Sequence, residues 1–148
     1  MPLPSFTCDG EFPPGVHRAT LNETLSRLGR SSPVRATLGR RLAQIYSLAA
    51  ATGKVRRFVL FGSFVTAKSV PNDVDLFLVM ENDFAASLLD RETAAVFDHQ
   101  IAQEVLNATI FWLRSLAALD GEQAAVEYWQ VTRGGGRRGI VEIVEPGR

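Results

Sequence analysis

The apolar run Phe58-Val59-Leu60-Phe61 stops abruptly at Gly62-Ser63, and a second run, Leu76-Phe77-Leu78-Val79-Met80, opens behind Asp73-Val74-Asp75. No other feature of the chain restricts its fold as strongly. Two short hydrophobic strands, 57–61 and 73–80, are predicted on either side of a polar loop, 62–72. In an extended strand residues i and i+2 project from one face, so Asp73 and Asp75 stand together while Val74 turns away. Beyond Asp75 both faces are apolar, with Phe77 and Val79 on one side and Leu76, Leu78 and Met80 on the other. Such a strand belongs inside a sheet, with helices covering at least one of its sides.

The remaining segments read more simply. Residues 1–16 are rich in Pro and Gly and are expected to run extended over the surface. Thr20-Leu21-Asn22-Glu23 has the pattern of a capping box, predicting a helix over 21–28 that stops near Gly29. Ser32-Pro33 starts a second helix that ends at Thr52-Gly53; its apolar residues Val34, Leu38, Leu42, Ile45, Leu48 and Ala49 recur at helical spacing. Asn82-Asp83 is read as the cap of a helix from about Phe84 to the Glu104 region, with a break near Phe97-Asp98. Ala108–Leu113 is a predicted strand, Asp120 a predicted cap for a helix over 121–130, and 139–144 a final strand after the turn Gly134-Gly135-Gly136. The expectation is one small α/β (α+β) domain over 1–148, a mixed sheet flanked by helices, with an N-terminal extension and helices at about 1–53.

The chain has 148 residues, 46% of them hydrophobic, which is enough for one domain with its own core. Cys8 is the only cysteine, excluding an intrachain disulfide and a multi-cysteine zinc site. No apolar run approaches bilayer length, and Met1-Pro2-Leu3-Pro4 lacks the basic and apolar regions of a secretory leader, so a cytoplasmic protein with no membrane partner is expected. Net charge is zero but uneven. Residues 1–57 hold nine Lys/Arg against three Asp/Glu, and residues 58–148 hold seven against thirteen. The cluster Arg27, Arg30, Arg35, Arg40, Arg41, Lys54, Arg56 and Arg57 is either a nucleic-acid surface or a set of solvated helix faces; solvated faces are the simpler reading.

The chemistry of the central segment is more specific. Paired carboxylates beside a glycine-serine bend suit a nucleoside triphosphate with bound Mg2+. Gly62 lets backbone approach a ligand closely, and Ser63 and the following amides can donate to phosphate oxygens. Asp73 and Asp75 are the metal ligands, Mg2+ being a hard cation that prefers oxygen. Lys68, in the intervening loop, is placed to contact the triphosphate. Taken singly, a Gly-Ser after a strand is a common turn and an Asp-x-Asp a common strand end; their order between two hydrophobic strands is what singles them out. A phosphate-binding Gly-Lys-Ser/Thr tripeptide is absent, as is a Gly-x-Ser-x-Gly elbow. The Asp-x-Asp of haloacid dehalogenase phosphatases follows its strand, whereas here the pair precedes the apolar run.

On Leu60-Phe61-Gly62-Ser63 and Asp73-Val74-Asp75-Leu76, the chain resembles the minimal nucleotidyltransferases of the DNA polymerase β superfamily. Phe12–His17 and Arg138–Ile143 look similar to small bacterial proteins of that type. The resemblance implies a polymerase β-like core and Mg2+-dependent transfer of a nucleoside monophosphate, AMP foremost, from NTP to a protein or RNA hydroxyl. It also implies a toxin–antitoxin role, since several small relatives are antitoxins that modify a partner toxin. The family adds a third carboxylate on the next core strand; here that strand has Thr109 at the corresponding place and no acid. Glu104, Glu127 and Glu142 remain as acids that could reach in. The departure motivates an alternative, a catalytically degenerate binding module that neutralises its partner by contact. RNA binding by the basic N-terminal helices is a third reading. His17 and His99 are too far apart in sequence to define a site by spacing. Trp112 and Trp129 read as core or sheet-covering residues. Arg133, Arg137 and Arg138 read as an exposed loop, with approach to phosphate or RNA as the sharper option.

Overall fold

A computed structural model, which describes residues 3–146, places five strands in one mixed sheet. They are β1 (Val16–Ala19), β2 (Val55–Phe61), β3 (Val74–Met80), β4 (Ala108–Arg114) and β5 (Ile140–Ile143), in the spatial order β1-β5-β2-β3-β4. β1 runs parallel to β5 and β4 parallel to β3, while β2 is antiparallel to both its neighbours. The α+β class expected from the sequence is therefore the observed one.

Helices α1 (Leu21–Leu28) and α2 (Pro33–Ala51) start where their caps dictate. Thr20 accepts from the Glu23 amide and Glu23 reaches back to the Thr20 amide, closing the capping box. Ser32 accepts from the Arg35 amide, with Pro33 in the first turn. The apolar stripe of α2, from Leu38 through Leu42 and Ile45 to Ala49, is buried against Phe58, Leu60, Leu76 and Leu78. Beside it lie α3 (Arg91–Ala94) and α4 (His99–Leu106), which bury Ala102 and Leu106 in the same layer. The opposite sheet face carries Val59, Phe77, Val79 and Ile140 and is covered by the short helix α5 (Glu122–Glu127) through Val126 and the following Trp129. β3 is thus apolar on both sides because both sides are covered.

Several local expectations are corrected. Met1 and Pro2 of the expected extended opening lie outside the described residues, but its remainder does not simply run over the surface. Phe12 is buried, and Val16–Ala19 forms the edge strand β1 against the far end of the chain. The helix expected from Phe84 starts only at Arg91, with Asp90 as its cap, while the break expected near Phe97-Asp98 is observed, Asp98 capping α4; each aspartate accepts from the amide three residues on. Asp83 instead pairs with Lys54 at 2.8 Å, and Asn82 accepts from the Leu116 amide. Asp120 does not cap α5; Gly121, at φ +92°, turns the chain into it. β2 begins at Val55, β4 reaches Arg114, and β5 is Ile140–Ile143.

Candidate functional site

Cross-strand register brings Gly62, Asp73 and Asp75 together, but not Lys68, which lines a depression that includes neither acid. Phe61, the last residue of β2, is opposite Asp75, and Asp75 is opposite Thr109 on β4. Asp73 stands just ahead of β3, and its Oδ2 accepts a 2.7 Å hydrogen bond from Thr109 Oγ1. Gly62 then turns the chain with φ +78°, a conformation that favours glycine. A Cβ at this position would collide with Asp75 Oδ2, so the bend lies directly on the carboxylate and side-chain-free backbone is required there. Ser63–Val65 follows as a single 3-10 turn. Asp73, Asp75, Gly62 and Ser63 are all half-buried, at the mouth of the central strands.

Asp75 is the perturbed acid here. Burial and the neighbouring charge of Asp73 push the Asp75 carboxyl up to about 7, and a hydrogen bond to Asp73 adds to the rise. The Thr109 hydroxyl and the positive charge of Arg138 pull in the opposite direction. A carboxylate pair in this state binds a proton at neutral pH or gains from a cation. The donor set suits a hard divalent ion such as Mg2+, for which Asp73 and Asp75 are the ligands present.

The loop between the bend and the acids is held by Arg35. This side chain is 2% exposed and makes five hydrogen bonds to the carbonyls of Leu28, Phe64, Thr66 and Lys68. Thr66 Oγ1 closes the turn by donating to the Ser63 carbonyl at 2.6 Å. Arg35 therefore serves neither as a nucleic-acid contact nor as a solvated surface charge. Arg27 lies over the rings of Phe6 and Phe12, and Arg57 is buried against Glu142. The basic N-terminal cluster is in these places internal scaffolding. Lys68 keeps an exposed side chain on the rim of a depression of about 390 Å³, which it shares with Glu11 and Arg138.

Of the three arginines around the glycine turn, Arg133 and Arg137 are exposed. Arg138 bends inward, pairs with Glu11 at 3.2 Å and lies within electrostatic reach of Asp75. The sequence singles Arg138 out only with Arg133 and Arg137, as an exposed loop that could approach phosphate or RNA, and does not place it beside the acids.

Other candidates lie elsewhere. Glu142 faces Arg57, which binds both its carboxylate oxygens at 2.7 and 2.9 Å, with Arg18 at 3.6 Å. Glu104 is exposed beside Gln100. Among the described residues no three His, Cys, Asp or Glu side chains form a metal-holding group, so neither these acids nor Glu127 complete one. His17 Nε2 donates to the Pro13 carbonyl at 2.7 Å and His99 Nδ1 to the Ile110 carbonyl at 3.2 Å, both structural contacts. Cys8 is exposed and unpaired. Trp112 is tied by its indole N–H to the Phe97 carbonyl, whereas Trp129 lies on the same face as Asp75, against Phe61.

The fold and this carboxylate mouth define a class: a small α+β protein with an acid pair at the entrance to a central strand, packed on a glycine bend. Residues 4–144 match DUF6932, a family of unknown function, and the chain belongs to that family. No curated protein and no solved structure matches it. No helix among the described residues is long and apolar enough to cross a membrane.

Proposed function

We propose that the chain is a Mg2+-dependent nucleotidyltransferase of the polymerase β type, acting in the cytoplasm. It moves a nucleoside monophosphate, AMP foremost, from a triphosphate onto a hydroxyl of a partner protein, such as a toxin, or of an RNA. The observation that carries this reading is the meeting of Asp73, Asp75 and the Gly62 bend. Two acids crowded until one is pushed to about 7 are poorly matched to water and well matched to a divalent cation. Bound there, Mg2+ supplies neutralisation of the charge on the phosphates and the leaving group.

The protein's own contributions follow from position. Asp73 and Asp75 hold the metal, and Thr109 fixes the orientation of Asp73 through its hydrogen bond. The amides at Gly62 and Ser63 receive phosphate oxygens where no side chain intervenes. Arg138 and Lys68 add positive charge beside the path of the phosphates. Arg35 keeps the loop in one conformation, so these groups need no rearrangement on binding.

The test is transfer of labelled AMP from ATP to protein or RNA acceptors. Asp73→Asn combined with Asp75→Asn abolishes labelling while far-ultraviolet circular dichroism and cooperative melting persist. Equal labelling by wild type and the double variant overturns the assignment. A second reading is favoured by one observation, the threonine at 109 beside Asp75 where a third acid would stand. In that reading the chain is a degenerate member that neutralises its partner by contact alone. Partner neutralisation then survives the double substitution, and wild type transfers no label.

A further inference from the structure

We infer that Phe61, Phe111 and Trp129 form a shelf that receives the nucleobase of the triphosphate held at Asp73 and Asp75; this rests on the reading above and extends it to the rest of the ligand. The shelf adjoins the acids through the sheet itself. Phe61 is opposite Asp75, and Phe111 follows Thr109 by two residues on the same face of β4, roughly 7 Å further along the strand. The intervening length is that of a ribose between phosphate and base.

The geometry of the rings is what distinguishes this cluster from ordinary core. Trp129 lies over Phe61 at 4.4 Å with an interplanar angle of 30°, and over Phe111 at 5.1 Å and 25°. Near-parallel rings cover one another's inner faces and leave the exposed part of Phe111 as the surface open to a further ring. On the helical side of the sheet the opposite holds: Trp112 meets Phe84 and Phe97 at 89° and 88°, an edge-to-face cluster closed on itself. Phe77, beneath Trp129, is 4% exposed and belongs to the core, but Phe111 is 39% exposed although it stands on an apolar strand. A water-facing aromatic beside a phosphate-type site is a stacking surface for a planar base. The His99 imidazole lies beside the shelf, 5.0 Å from Phe111, while the shelf itself is built of aromatic rings, so it grips bases mainly by area, purines more tightly than pyrimidines.

Calorimetric titration of the full chain with ATP and with inorganic tripolyphosphate, each with Mg2+, separates the two halves of the site. ATP is expected to bind at least tenfold more tightly than tripolyphosphate. Phe111→Ala, at an exposed position, removes on the order of tenfold of the ATP affinity and leaves tripolyphosphate binding unchanged. In parallel, ATP quenches the emission of wild type, which has two tryptophans, and the quench disappears in Trp129→Phe. Equal affinities for the two ligands, untouched by Phe111→Ala, overturn the shelf and leave the carboxylate reading standing. ATP binding that depends on Phe111 but is indifferent both to Mg2+ and to Asp73→Asn/Asp75→Asn overturns the placement of the triphosphate at the acids, and with it the proposal as stated.

Discussion

Two buried-acid corners share one face of the sheet, and they are built on opposite principles. Glu142, opposite Val59 in the β2–β5 ladder, has a guanidinium for each need: Arg57 grips both its oxygens and Arg18 stands behind. Asp75, opposite the neighbouring Phe61 in the β2–β3 ladder, has an acid for a neighbour, with its nearest compensating cation, Arg138, committed to Glu11. The first corner is electrically complete within the chain. The second favours taking up a proton at Asp75. An acid matched by arginine is a structural element, whereas acids crowded together at the mouth of a strand are, on the proposed reading, where a ligand binds.

The largest test of this contrast acts on the complete corner. Arg57→Met leaves the Glu142 carboxylate, which is 7% exposed, with only the longer contact to Arg18, and is expected to cost about 3 kcal/mol in urea unfolding at neutral pH. Adding Glu142→Leu should restore most of that loss, because removing both charges leaves no unpaired ion. If Arg57→Met costs nothing, Glu142 is not held by its arginine and the contrast fails.

The next substitution should have the opposite sign. Asp75 titrates near 3.8 when unfolded and near 7 when folded, so the folded state holds the proton more tightly. Wild type is then favoured below about pH 4 and loses stability as pH rises through 7. Asp75→Asn has no such proton to lose. In EDTA it should gain on wild type progressively above pH 4 and exceed it by about 2 kcal/mol at pH 8. A displacement of this size is worth about 4 kcal/mol unscreened, and partial exposure of the group roughly halves it. A variant that is less stable than wild type at pH 8 would show that Asp75 serves the fold and not a ligand.

How far these corners were legible in the sequence depends on whether their causes are local. The capping box at Thr20, the stripe of α2 and the common face of Asp73 and Asp75 follow from spacings of a few residues, and the expected elements there match the structure closely. The edge strand β1 was not legible, because its partner β5 lies at the other end of the chain and parallel pairing leaves no turn signal between them. Arg35 and Arg57 looked like surface charges since the groups that claim them, loop carbonyls and Glu142, are remote in sequence. The placement of Arg138 beside Asp75 has the same origin. Trp129 read as a sheet-covering residue, which it is, but only the register of β2 to β4 puts its ring next to the acids.

The smallest effect concerns that one arginine. Arg138 is partly exposed and reaches Asp75 through space without a hydrogen bond to it, so its influence is weak and open to screening. Its charge favours the ionised carboxylate, and Arg138→Gln should therefore raise the folded-state titration of Asp75 above its wild-type midpoint. Followed by carboxyl carbon NMR without metal, the difference should be clear at low ionic strength and shrink in molar salt. A titration insensitive to Arg138 would mean that the charge of the arginine does not reach Asp75, and the placement of Arg138 beside the acids would fail.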